Sequence, residues 1–170
     1  MYVKTIGAVA VATLVAAGAY AQNVNTDADP SAPFSTYRTY AWTPGSPSPV
    51  SLTEQRIHAA VEAQMSNKGF RLATDQTPDV YIATHLLTQQ QPQVIANGFG
   101  PWAFGGGFGS FDVRTFVQGT LIVDMYDAKT RKMVWRGVAT DTASDKASKN
   151  TAKIDKALEK MFKRYPPSSN

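Results

Sequence analysis

The chain has 170 residues, 43% hydrophobic and 18% charged, with a formal charge of +4 and no cysteine. That length suits one domain of ordinary size, and the composition excludes both a disordered chain and a membrane bundle. The missing thiol excludes a cysteine nucleophile, a zinc–thiolate site and a lipid-modified N-terminal cysteine.

Residues 1–21 follow the plan of a secretory signal peptide: Lys4, an apolar run over 6–17, and Ala19-Tyr20-Ala21 as a small-x-small cleavage site. The apolar run is shorter than the roughly 20 residues of a bilayer-spanning helix. Cleavage leaves no transmembrane span and places the protein in the periplasm or at the envelope. Residues 22–33 are polar and read as a flexible lead-in, followed by one α+β domain over 34–167. Residues 34–42 (FSTYRTYAW) are rich in aromatic and β-branched types and predict a strand. Three prolines and a glycine make 43–50 a loop. Ser51 and Glu54 have capping-box spacing, and Ile57, Ala60, Val61 and Met65 share one helical face, so a helix is expected over 52–68 with Gly69 as its left-handed cap.

Short strands are expected at 70–72 and 80–86, with a polar break at Gln89–Gln93. The stretch at 97–111, NGFGPWAFGGGFGSF, holds six glycines, five aromatic rings and no charge. It loosely fits a dinucleotide-binding glycine motif. Pro101 inside it, a Gly-Gly-Gly run where a helix should start, and no following Lys-Ser/Thr argue against phosphate binding. It reads as a long loop whose rings Phe99, Trp102, Phe104 and Phe108 suit a contact surface for a partner or lipid headgroups. Residues 112–127 form a long strand with a possible interruption at Gly119, then a turn opened by Asp127 and a strand over 132–140. A second helix is expected over 151–164, with Ile154, Ala157, Leu158, Met161 and Phe162 inward. Lys153, Lys156, Lys160 and Lys163 lie opposite that stripe and suit an anionic partner. Two helices with one apolar stripe each predict a two-layer α+β sandwich: a mostly antiparallel sheet with both helices on one face.

Three groups of residues carry a family resemblance: YRTYAW at 37–42, QGTLIVDMYD at 118–127 followed by MVWRG at 133–137, and KMFKRYPP at 160–167. Together they resemble the domain-of-unknown-function 4136 family of bacterial envelope proteins. The resemblance implies an exported protein of uncharacterised function, often a lipoprotein, although this chain has no cysteine to carry a lipid. It implies no catalytic residues.

His58 and His85 have no metal-ligand spacing around them, and no metal or other cofactor is expected. Asp124 and Asp127 are close in sequence, but Asp127 suits a turn cap and Asp124 a salt bridge to Arg136 across the hairpin. The expected role is therefore noncatalytic binding or structure, toward an envelope lipid or an envelope protein rather than nucleic acid. The alternatives are an enzyme that uses Asp124 or Asp127 with a histidine, and an accessory subunit for envelope transport or assembly.

Overall fold

The computed structural model describes residues 22–46, 48, 51–74, 77–97 and 110–167. The expected signal peptide and the tip of the glycine-rich stretch, with Phe99, Trp102, Phe104 and Phe108, lie outside the described residues. Six strands form one open sheet: β1 (Asn23–Ala28), β2 (Thr39–Trp42), β3 (Arg71–Leu72), β4 (Val80–Asn97), β5 (Ser110–Asp127) and β6 (Met133–Thr142). Their spatial order is β1-β6-β5-β4-β2-β3. The β1/β6, β6/β5 and β5/β4 pairs are antiparallel, whereas β2 runs parallel to both β3 and β4. The helices are α1 (Ser51–Asn67) and α2 (Ala147–Lys163). The α+β reading therefore holds, with a mixed sheet.

Alternation along the strands sets the core. Val80 and Ile82 of β4, Leu121, Val123 and Met125 of β5, and Trp135 and Ala139 of β6 join Ile57, Val61 and Met65 of α1 and Leu158, Met161 and Phe162 of α2 in one cluster. Leu158, Met161 and Phe162 are fully buried, which contributes about 1.5–3 kcal/mol for each. The α1 helix ends as Gly69 requires, at φ 82°, with the Phe70 N–H reaching back to the Met65 carbonyl at 2.9 Å. At its start Glu54 does not close a box with Ser51. Its Oε2 accepts the Ser48 N–H at 2.7 Å, one turn further back.

Four sequence readings need correction. Residues 23–28 of the expected lead-in form β1, which pairs with β6 and buries Val24 against the core. A single apolar anchor suffices because an edge strand is held mainly by its backbone ladder. The expected strand over 34–42 is a single 3₁₀ turn, Phe34–Thr36, followed by the shorter β2. The polar break at Gln89–Gln93 is an uninterrupted part of β4, and Gly119 likewise sits in register opposite Asp141. The second helix starts at Ala147, one turn early, after the Asn150 side chain bridges the Ser144 N–H and carbonyl at 2.7 Å each.

Candidate functional site

The body of the sheet ends where β6 ends, at the Gln118↔Thr142 pair. β4 and β5 do not end there. Residues 90–97 continue to pair with 110–117 in eight further rungs, with no third strand among the described residues. At about 3.4 Å per residue this is an arm of about 27 Å. Near its base lies a cavity of about 210 Å³ between the sheet and the helices, walled by Leu86, Leu121, Ala139, Ile154 and Ala157. Such a volume holds one small apolar group; dry cavities of about 150 Å³ take up benzene.

A polar cluster sits on the face of the sheet away from the helices. Asp124 of β5 is fully buried there. Arg136, its register partner on β6, grips it twice, Nε to Oδ1 at 2.6 Å and Nη2 to Oδ2 at 2.7 Å. The Tyr126 hydroxyl donates to Oδ2 at 3.4 Å. His85 of β4 brings Nε2 to 3.4 Å from Oδ2, while its Nδ1 accepts the Ser46 N–H at 3.0 Å, so the neutral ring carries its proton on Nε2, toward Asp124. Bonding to Asp124 pushes the Arg136 guanidinium further up from its already high value. Burial, and then the Asp124 charge, push the Tyr126 hydroxyl up. Each group here is held by another, with the Asp124 carboxylate at the centre.

Asp127 lies on the other face. Its Oδ1 accepts the N–H groups of Thr130 at 2.7 Å and Lys129 at 3.0 Å, which closes the β5–β6 turn, and its Oδ2 accepts the Tyr37 hydroxyl at 2.9 Å. The Thr130 amide does most to hold the Asp127 carboxyl below its ordinary value. Burial, reinforced by this carboxylate, pushes the Tyr37 hydroxyl well up. Thus the two aspartates face opposite sides of the sheet. His58 of α1 makes its contacts elsewhere. It stacks on Trp42 with ring centroids 4.0 Å apart and meets Glu54 at 3.0 Å.

The model for the family described as "Domain of unknown function (DUF4136)" matches residues 24–167. The chain belongs to this family. No curated protein sequence matches it. Among solved structures, the DUF4136 chain is similar in fold to a PDZ domain protein from Parabacteroides distasonis ATCC 8503, with 15% identity and a TM-score of 0.56 over 88% of this chain. It spans 37% of that protein's chain. A PelC dodecamer from Paraburkholderia phytofirmans has 13% identity, a TM-score of 0.49 and coverage of 84% of this chain and 99% of the other. Lipoprotein GNA1162 from Neisseria meningitidis has 9% identity, a TM-score of 0.43 and coverage of 75% and 99%.

In this DUF4136 domain the motifs that carried the resemblance meet one another and hold the fold. Tyr37 of the first motif bonds Asp127 of the second. Gly137 lets β6 lie close to α2: a Cβ there would stand 2.8 Å from Trp135 Cη2 and 2.9 Å from Met161 Sδ. Tyr165 of the last motif packs edge-on to both Trp135 and Phe34, with centroids 5.6 and 5.7 Å away. Of the lysines expected to face a partner, Lys156 and Lys163 are exposed and Lys160 half-buried. Lys153 is committed elsewhere. Its Nζ reaches Asp141 Oδ1 at 2.8 Å and the Thr142 carbonyl at 2.6 Å, pinning α2 to the end of β6. The helical wheel placed Lys153 outward, but its long stem bends over the sheet edge.

Proposed function

We propose that this DUF4136 protein is exported and works in the periplasm or at the envelope as a noncatalytic binding or structural module. The observation that carries the reading is the arm: none of its described side chains belongs to the core cluster, and the sequence puts an uncharged stretch with Phe99, Trp102, Phe104 and Phe108 at its far end. Aromatic rings on a glycine-rich tip suit an apolar–aqueous boundary such as a lipid headgroup layer or an envelope protein. Lys156, Lys160 and Lys163 add a basic face on α2 for the same anionic surroundings. Asp124 and Asp127 face opposite sides of the sheet and so do not form a carboxylate pair; His85 does meet Asp124, but Arg136 holds both oxygens of that carboxylate, which favours a structural role for it.

Fractionation of cells that express the full chain or a variant lacking residues 99–108 tests the reading. The full chain is expected in the envelope fraction and the variant in the soluble periplasmic fraction, with the circular dichroism of the purified body unchanged. Equal membrane association of the two would remove the tip from the proposal. Retention of both in the cytoplasm would remove export.

A further inference from the structure

Gly119 has no conformational reason to be glycine. Its φ lies outside the left-handed region, and it keeps its register opposite Asp141 in the middle of a strand. Nothing presses on it either: a Cβ built there would have the Asp141 carbonyl oxygen, at 3.9 Å, as its nearest described neighbour beyond the adjoining residues. Gly137 and Gly45, by contrast, each stand where a Cβ would clash. Glycine inside a strand weakens it and often marks a place where a ligand comes close. Residues two apart along a strand share a face, so position 119 faces the helices together with Leu121 and Val123. The missing side chain leaves room there, in the cavity of about 210 Å³ that Gly119 lines.

The lining decides what fits. Leu86, Leu121, Ala139, Ile154 and Ala157 make the walls apolar, and the cavity opens partly to solvent. Two polar groups at its rim are already committed. Lys153 Nζ is held by Asp141 Oδ1 and the Thr142 carbonyl, and the Asn150 side chain bonds both the N–H and the carbonyl of Ser144. Gln22, which also lines the cavity, differs. Its Nε2 donates to the Lys153 carbonyl at 2.8 Å, while its Oε1 is buried with no partner among the described residues. A buried acceptor left bare gains from any donor brought to it. An anionic head would find Lys153 taken by Asp141, whereas a hydroxyl can give its proton to Gln22. Volume sets the length: a cavity of about 150 Å³ takes benzene, so one of about 210 Å³ takes roughly eight carbons.

We propose that this cavity binds the aliphatic chain of a neutral, single-chain amphiphile of about eight carbons, whose hydroxyl donates to Gln22 Oε1, and that Gly119 keeps the space open for it. The site uses no residue of 90–117, so its failure leaves the reading built on the arm as it stands.

Methyl NMR of the full chain labelled at alanine, titrated with 1-alkanols, reads the site through Ala139 and Ala157. Their signals are expected to shift saturably with 1-octanol. From 1-butanol upward the affinity should rise about fourfold per added methylene and level off at about eight carbons. Heptyl methyl ether has the same length and no donor. It should bind about three- to tenfold more weakly, and Gln22→Met should abolish that difference without ending binding. Gly119→Leu takes up about half the space and should weaken 1-octanol about tenfold or more in a chain that stays folded by circular dichroism; the milder Gly119→Ala should weaken it about fourfold. Absence of a saturable shift at Ala139 and Ala157 would overturn the proposal. So would an affinity that keeps climbing past about ten carbons, which marks general adhesion to apolar surface. A G119A chain, or a folded G119L chain, that binds as well as the wild type would overturn it too. Equal binding of alcohol and ether by the wild type would overturn the assignment of the hydroxyl to Gln22.

Discussion

Asp124 and Arg136 illustrate how unequal the two ends of one ion pair can be. Asp124 is fully buried, whereas the Arg136 side chain is 41% exposed. Removing the arginine strands a carboxylate in the sheet; removing the aspartate frees a guanidinium that water can still reach. Arg136→Ala is therefore expected to cost about 3 kcal/mol and Asp124→Asn clearly less, as measured by urea unfolding. Equal losses would show that desolvation of the aspartate does not govern this pair. Gly137→Ala should cost about 1–3 kcal/mol through overpacking, because Trp135 has no room to retreat from a new methyl group. Asp127 and Asp79 set the acid limit. The Thr130 amide leads in holding the Asp127 carboxyl low; at Asp79 burial pulls upward but the Arg38 and Thr39 donors outweigh it, so both lie below their ordinary 3.8. A carboxyl depressed in the folded state adds stability that is fully present above its unfolded value and is lost as pH falls through its folded value. Thermal stability should accordingly fall below about pH 3.8. The double variant Asp79→Asn/Asp127→Asn should be less stable at neutral pH and lose less between pH 5 and pH 2.

At the scale of elements, the arm and the body are separable. Replacing residues 90–117 by a tight two-residue turn removes rungs whose described side chains lie outside the core cluster and should shift the melting temperature of the body by only a few degrees. A large loss of helical signal would show that the arm supports the core. The same separation explains what the sequence could and could not reveal. The helices and their inward stripes were legible because 3.6-residue periodicity records burial. The Asp124–Arg136 pair was legible because the two lie on neighbouring strands joined by a short turn. His85 beside Asp124 was not, since it arrives from a third strand, and a register between distant segments leaves no local mark. The run Gln89-Gln90-Gln91-Pro92-Gln93 looked like a break because side-chain type was the only guide. Its rungs are made by backbone, and Pro92 faces outward where a missing N–H costs no ladder bond. β1 escaped notice for a similar reason: only Val24 along it is buried.

For the whole molecule, one twisted sheet serves two purposes. Its helix-covered face supplies the packing, and its helix-free face hides a single charge under Arg136, His85 and Tyr126. Between them runs the loop after β2, where Gly45 comes so close that a Cβ would stand 2.1 Å from the Thr84 carbonyl oxygen. Gly45→Ala should push this segment off β4 and release the Ser46–His85 bond, seen as a changed imidazole nitrogen shift for His85 while the Trp135 fluorescence of the core persists. Unchanged His85 shifts would mean that the segment can yield without leaving the strand. The unbroken length of β4 has one more consequence. Its first half lies in the core, and its second half pairs with β5 alone among the described residues. Amide protons on a single strand should therefore exchange with deuterium on two clocks: from Val80 to Leu86 only when the whole domain opens, and beyond Gln90 by fraying within seconds.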